Sequence, residues 1–554
     1  MSDARPTVLR YRAEAPGAEG PVTLGQDNVL RCLRNEQPSR ERNEPSSLNK
    51  QATWIIPDGA DQDRCLAALR TLAERHAALR TVFPGAADGR LPTTQRQLQE
   101  GEFTVQVIAL DPDEDATARA EAFGWDERCH PFDLTAEFPL RLGLLTRDGR
   151  PALLAVVVSH AQLDGVATGL LFKEWMALTA GAALPSAAGP TPIEVAGQER
   201  SASGQRRGRA ALRHWERILA EEPSAVFADD RVRSGENLLH TLGIRTPAGA
   251  AALERAVRRT GSSKSAVLTA CYAALAAHRA ARTTVVMAAL SANRHRAVLA
   301  EHIGTLAQDA LLVLDTDCPD LDTLIGRTQA QALSGYWHAT FETERLWQIL
   351  DDSSLGRGAR FVRDVVLNDV SGTVPEEIAA LRPDPAADPD LSWYPTEPLP
   401  TRLMINIWRT SGCLEISLHA HPDVLDREET EHFARALLRL IDLAGRRNVT
   451  LGPDGELAAL SHLPVGRREK GRWQQVGGNW VDLDALADRL RTVLDVKDVE
   501  VTWQNEELTA VVGQGCTLAP AEAHTAVVDA LSWRDTLMAP QRYVLPNGTG
   551  TGRD

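Results

Sequence analysis

Positive charge is in short supply: 60 Lys and Arg stand against 75 Asp and Glu, leaving a formal charge of −15. A chain of that sign lacks the electrostatic footprint of a nucleic-acid binder, and the small cluster Arg206, Arg207 and Arg209 reads as solvated linker. Cysteine is sparse as well. The seven cysteines are odd in number and never form Cys-x-x-Cys, which argues against a disulfide framework and against a zinc site. Long apolar runs are missing: residues 266–277 are the longest mostly apolar segment, well short of the roughly 20 residues of a membrane span. The start, Met1-Ser2-Asp3-Ala4-Arg5-Pro6, has no apolar signal core. No Gly-rich loop lies in the strand–loop–helix context that cradles phosphate. The expectation is a cytoplasmic protein with no metal, no nucleic acid and no membrane among its partners.

At 554 residues, 43% hydrophobic and 24% charged, the composition is that of a soluble chain of two to four domains. Its most informative stretch is Leu153-Leu154-Ala155-Val156-Val157-Val158-Ser159-His160, followed by Asp164-Gly165 and a segment carrying Leu170, Leu171, Trp175 and Met176. Six consecutive apolar residues predict a buried strand, Asp-Gly a tight turn, and the later spacing an amphipathic helix. His160 then stands where a core strand ends, a rigid position at which an imidazole can serve as general base. The plainer alternative is a satisfied core histidine.

The spacing His160-x-x-x-Asp164-Gly165 behind an apolar strand resembles the active-site signature of the condensation-domain superfamily of nonribosomal peptide synthetases, His-His-x-x-x-Asp-Gly, with Ser159 in the place of the first His. Further segments are similar to that family in the same order. Arg75-His76-Ala77-Ala78-Leu79-Arg80-Thr81-Val82-Phe83 resembles its Arg-His-x-x-Leu-Arg-Thr-x-Phe motif, and Pro21 to Gln26 its opening motif. Pro131-Phe132-Asp133-Leu134 resembles the scaffold before the signature strand. Asn293-Arg294 with Ile303-Gly304 resembles a second-lobe element, and His338 with Phe341-Glu342 a further short motif. Asn368 falls on a strand whose Asn lines the acceptor side in some members; its alternative is a strand-end cap.

The resemblance implies two chloramphenicol-acetyltransferase-like α/β lobes in a V with a tunnel between them: a loose N-terminal arm over 1–17, an N-lobe over 18–200 and a C-lobe over 201–450. Residues 36–48 read as a loop. A small α+β subdomain over 455–554 resembles the C-terminal lid of adenylating enzymes, with Thr549 where that family carries the Lys of Asn-Gly-Lys. A full charge at a phosphate is not replaced by a hydroxyl, so no adenylation is expected.

The implied chemistry is transfer of an acyl or aminoacyl group from a 4'-phosphopantetheine thioester to an amine, forming an amide. The thioester arrives on a separate acyl or peptidyl carrier protein, since no Gly-Gly-x-Ser-type attachment motif occurs in this free-standing chain. The acceptor is a small-molecule amine or a carrier-bound one, and no cofactor is bound by the chain itself. His160 is the implied catalytic residue. Asp164 is implied to be a buried carboxylate paired with Arg80 first and Arg75 second, although both arginines also read as solvated surface charges. Gly165 would permit close packing or positive φ, Ser159 would pack beneath His160, and Asn368 and Gln26 would touch substrate. Two alternatives stay open: an ester-forming O-acyltransferase, and a non-catalytic carrier-docking platform. Epimerisation would need a second acid that the sequence does not locate.

Overall fold

The computed structural model describes residues 4–36, 45–85, 90–232, 238–373, 388–452, 455–532 and 535–552. Of the loop expected over 36–48, residues 37–44 lie outside that description, as do residues 1–3 of the expected arm.

In the first compact unit a five-stranded sheet runs in the order Ala4–Arg12, Glu100–Ala109, Leu140–Arg147, Arg150–Val158, Lys50–Ile55. Leu140–Arg147 and Arg150–Val158 form a hairpin whose turn residues, Asp148 and Gly149, both have positive φ (51° and 75°). The signature strand is apolar without alternation because both of its faces are covered. Leu154, Val156 and Val158 pack with Leu171, Phe172 and Trp175, while Leu153 and Ala155 pack with Phe123 and Ile108. The helix that follows, Gly165–Thr179, is fixed by Trp175, whose Nε1 donates to the Ile55 carbonyl at 2.9 Å.

The arm expected to be loose is a strand. Ala4–Arg12 pairs antiparallel with Glu100–Ala109 along its whole length. Tyr11, 6% exposed, turns inward with its ring 6.3 Å from that of Phe103, while Arg10 and Arg12 face outward to Glu102 and Glu100. A backbone ladder with one inward aromatic row outweighs a polar composition.

The lobe boundary also differs from the expected cut at residue 200. Described residues 4–208, 291–308 and 370–373 cluster as the first unit, and 209–290, 309–369 and 388–552 as the second. The Asn293-Arg294 segment thus belongs to the first unit although the strands flanking it in the chain belong to the second.

The second unit holds a seven-stranded sheet in the order Gln308–Asp315, Thr284–Ser291, Val365–Asp369, Leu403–Arg409, Leu414–Ala420, Leu238–Thr246, Asp390–Pro398. One face packs on the helices Lys264–Ala280, capped by Ser263, and Arg427–Ala444. Residues 455–552 have a core of their own around Val476, Leu486, Val501, Leu508 and Tyr543, yet they are fastened to this unit. Asn479 Oδ1 accepts from Ser224 N at 2.7 Å, and the carbonyls of Gly477 and Gly478 accept from Arg357 and Arg282 at 3.1 and 2.7 Å. No described helix is long and apolar enough to cross a membrane.

Candidate active site

His160 follows the signature strand and is half-buried. Its backbone is gripped on two sides: its N–H donates to Asn49 Oδ1 at 3.2 Å, and its carbonyl accepts from Thr305 Oγ1 at 2.7 Å. The ring is fixed by Nδ1, 3.0 Å from the Leu163 carbonyl. A carbonyl only accepts, so Nδ1 carries the proton and Nε2 keeps its lone pair. Burial and the positive charge of Lys50 together hold the imidazole below its ordinary pKa. At neutral pH Nε2 is therefore a base.

Four residues on, Asp164 caps the Gly165–Thr179 helix by accepting from Ala167 N at 3.0 Å. Its carboxylate is bound bidentately by Arg294, Nη1 to Oδ2 at 2.8 Å and Nη2 to Oδ1 at 2.9 Å, and Oδ2 also accepts from Leu306 N at 2.9 Å. Burial pushes this carboxyl upward, but the guanidinium and the two backbone N–H groups outweigh it and hold the pKa below the usual carboxylate value. The side chains of the pair are 3% and 7% exposed, so this is a buried ion pair that anchors the turn.

The arginine is not the one that the sequence implied. Arg80 donates to the Leu98 carbonyl, its Nε has no partner among the described residues, and it lies near Tyr11. Arg75 bonds Glu174 at 2.9 Å, beside His76 at 2.6 Å on the same oxygen, and so ties the helix Gln62–Arg75 to the Gly165–Thr179 helix. Both arginines are engaged elsewhere, whereas residues 291–308 run along the signature turn: Arg294, Thr305 and Leu306 hold Asp164 and His160 at once. Arg294 was legible as a motif residue, but no local signal assigned it to Asp164, 130 positions away. Asn49 and Lys50 carried no signal at all beyond preceding and opening a strand.

Two other expectations are corrected, at Gly165 and Gln26. Gly165 does not have positive φ, and an added Cβ there would meet only Thr373 Oγ1 at 3.7 Å; the tight approach is at Gly169, where a Cβ would lie 2.4 Å from the Thr373 carbonyl oxygen. Gln26 is 1% exposed and closes a capping box with Thr23, while its Nε2 donates to Gln95 Oε1 at 3.0 Å. It is spent on the helix Leu24–Asn35, and Thr-x-x-Gln was a legible sign of that. Ser159 is fully buried, its Oγ 2.5 Å from Gln162 Oε1, and Gln162 Nε2 donates onward to the Thr81 carbonyl at 3.2 Å. Its hydroxyl faces a packing partner. Asn368 stands half-buried at the end of its strand and bonds Asn406. No cluster of metal-ligating side chains occurs among the described residues.

Comparison with known proteins gives the same outline. A condensation-domain family model matches residues 39–458. CymA of Salinispora arenicola, described as a probable nonribosomal peptide synthetase, is 29% identical over 351 residues, which is 59% of this chain and 4% of CymA. The phosphinothricin tripeptide synthetase PhsC of Streptomyces viridochromogenes is 31% identical over 340 residues, 58% of this chain and 30% of PhsC. The chain therefore spans less than a third of either relative. Among solved structures, the first condensation domain of the calcium-dependent antibiotic synthetase, in complex with a substrate analogue, superposes with a TM-score of 0.59 at 18% identity, covering 78% of this chain and 99% of that one. SgcC5 of Streptomyces globisporus does so at 0.57 and 18%, covering 77% and 99%. With strand, turn and capped helix of the signature in place and three quarters of its length matched by one family model, the chain belongs to the condensation-domain family.

Proposed function

We propose that this protein transfers an acyl or aminoacyl group from a phosphopantetheine thioester on a carrier protein to an amine, forming an amide, in natural-product biosynthesis. The observation that carries the reading is the fixed tautomer of His160. Leu163 holds the Nδ1 proton, so Nε2 is left to take the proton of the attacking amine. As the C–N bond forms, the C–S bond breaks, and the proton on Nε2 is returned to the departing thiolate. A thioester is already activated, so the demands on the protein are alignment and proton handling. Ser159 in place of the motif's first His is compatible with an enzyme, because its hydroxyl is consumed by Gln162 inside the core, and the retention of His160, Asp164 and Gly165 favours an enzyme over a silent platform.

The phosphopantetheine belongs to the carrier and counts as substrate. The 455–554 subdomain we take as an adenylation-lid relative that has lost its chemistry, Thr549 lying in the strand Gly548–Thr551 where a Lys would be needed. Amino-acid-dependent pyrophosphate exchange by the purified chain would contradict this.

The deciding experiment presents acyl-loaded carrier protein and candidate amines to wild type and to His160→Ala, with products read by intact mass. Loss of the base should lower turnover about 10²- to 10⁴-fold while leaving the protein folded. Equal rates from both proteins would remove His160 from the mechanism. An ester with a hydroxyl acceptor would move the reading to O-acyl transfer, and no product from either protein would favour docking alone.

A further inference from the structure

Just before the strand Lys50–Ile55 the chain bends over residues 46–49, and two charged side chains hold the bend. Arg128, at the end of the helix Ala116–Arg128, donates from Nε and Nη2 to the Ser46 carbonyl at 3.0 and 2.7 Å. Glu36 makes the larger contribution. Its Oε2 accepts from Ser46 Oγ at 2.7 Å, while Oε1 accepts from Ser47 N at 2.5 Å, Ser47 Oγ at 2.7 Å and Leu48 N at 3.2 Å. Hydrogen bonds to an ionised acceptor are stronger than neutral ones, and four donors converge here on one carboxylate. Glu36 is also the residue that ends the helix Leu24–Asn35. An acid at that end is disfavoured by the helix dipole, so its place there is offset by the bend that it gathers.

The bend leads directly to the signature. A carboxylate only accepts, so the Ser46 hydroxyl donates to Glu36 and turns its lone pairs to the Asn49 N–H, 3.0 Å away. Asn49 is 2% exposed, and its Oδ1 accepts from His160 N at 3.2 Å. The antiparallel ladder between Lys50–Ile55 and Arg150–Val158 ends at the pair Lys50 and Val158. Two residues beyond that pair stands His160, and the Asn49 side chain carries the grip on to it. Glu36, Ser46, Asn49 and His160 all belong to the first compact unit.

We infer that Glu36 is a positioning residue for the base: through Ser46 and Asn49 it fixes the backbone of His160, and with it the point from which Nε2 meets the attacking amine. This rests on the amide-forming reading above. Glu36 itself touches no reacting atom; it sets the place of the residue that does.

The test compares rates in two backgrounds, with each substrate varied in turn. Glu36→Ala should lower kcat about 10- to 100-fold, the scale of a misplacement by about 1 Å, with the KM for the amine and for the acyl carrier little changed. Glu36→Gln should recover most of that loss, since its carbonyl oxygen can still accept from Ser47 N and Leu48 N and its NH2 can donate to a serine hydroxyl. In an Asn49→Ala background the relay is already cut, so Glu36→Ala should change kcat by less than about 2-fold. An unchanged kcat in Glu36→Ala overturns the inference. So does an equal fall in both backgrounds, which is what a merely structural residue would give. Should Glu36→Ala fail to fold, Ser46→Ala cuts the middle link alone; a lower kcat there supports the relay and an unchanged one overturns it. A readout independent of turnover is hydrogen exchange at the His160 backbone N–H in protein labelled with 15N-histidine, its signal identified by its loss in His160→Ala. Slow exchange is expected in wild type and faster exchange in Glu36→Ala and Asn49→Ala; equal exchange in all three overturns the relay. If wild type makes no amide yet shows this pattern, the relay stands and the functional reading falls.

Discussion

Replacing Arg294 by Met asks how much of the signature turn depends on one cation. The substitution removes two hydrogen bonds to Asp164 and three more that Arg294 gives to the carbonyls of Ala292, His302 and Gly304. It leaves a carboxylate whose side chain is 3% exposed without its counter-charge. Breaking a buried pair from one side costs about 3–5 kcal/mol, against a total stability of roughly 5–15 kcal/mol for a typical protein. At about 2–4 °C per kcal/mol for units of this size, the first unit should melt roughly 6–20 °C lower. The discriminating measurement is a pair of double-mutant cycles read by denaturant titration. Asp164→Asn with Arg294→Met should show a coupling of about 1.5–3 kcal/mol, because neutralising the acid removes most of what the lost arginine cost. Asp164→Asn with Arg80→Met should be additive within about 0.5 kcal/mol. Coupling in the Arg80 cycle and additivity in the Arg294 cycle would refute the assignment.

Other outcomes follow from the same geometry. Burial and Lys50 lower the pKa of His160, so the acid limb of kcat/KM should fall below the ordinary imidazole value of about 6.5, and Lys50→Met should move it upward; a limb at or above that value would contradict the electrostatics. His302 is fully buried, donates from Nδ1 to the Pro190 carbonyl at 2.7 Å, leaves Nε2 unpartnered among the described residues, and is pushed down by burial to about 4. Between about pH 6.5 and 4 the unfolded chain binds a proton that the folded one refuses, so stability should fall by roughly 3 kcal/mol as pH drops through that window. His302→Gln should flatten that slope in denaturant titrations at pH 7 and 4.5; an unchanged slope would place the acid sensitivity elsewhere. Ser159→Ala loses one buried bond to Gln162, which should lower stability by about 1 kcal/mol while turnover stays at the wild-type level; a collapse in rate would give that hydroxyl a part in the chemistry.

What the sequence disclosed was local. The signature strand, the Asp-Gly turn and the helix after it announce themselves by a six-residue apolar run, a turn dipeptide and helical spacing. Arg294 was visible as a motif residue, yet its partner was misassigned because the choice between Arg80 and Arg294 is made by tertiary path and not by spacing. The first strand was hidden because an edge strand needs only one inward row, and Tyr11 is a thin signal among five arginines and glutamates across the pair. Gln26 is the opposite case: Thr23-x-x-Gln26 is a capping box on its face, and that local role accounts for the glutamine.

The crossing of residues 291–308 into the first unit bears on attempts to build hybrids of this protein. A graft that exchanges everything before residue 208 would carry a foreign carboxylate, yet keep the host guanidinium, threonine and backbone amide that must grip it. Modular exchange in this chain therefore has to follow the contact map rather than the linear order, with 291–308 travelling alongside the N-terminal portion.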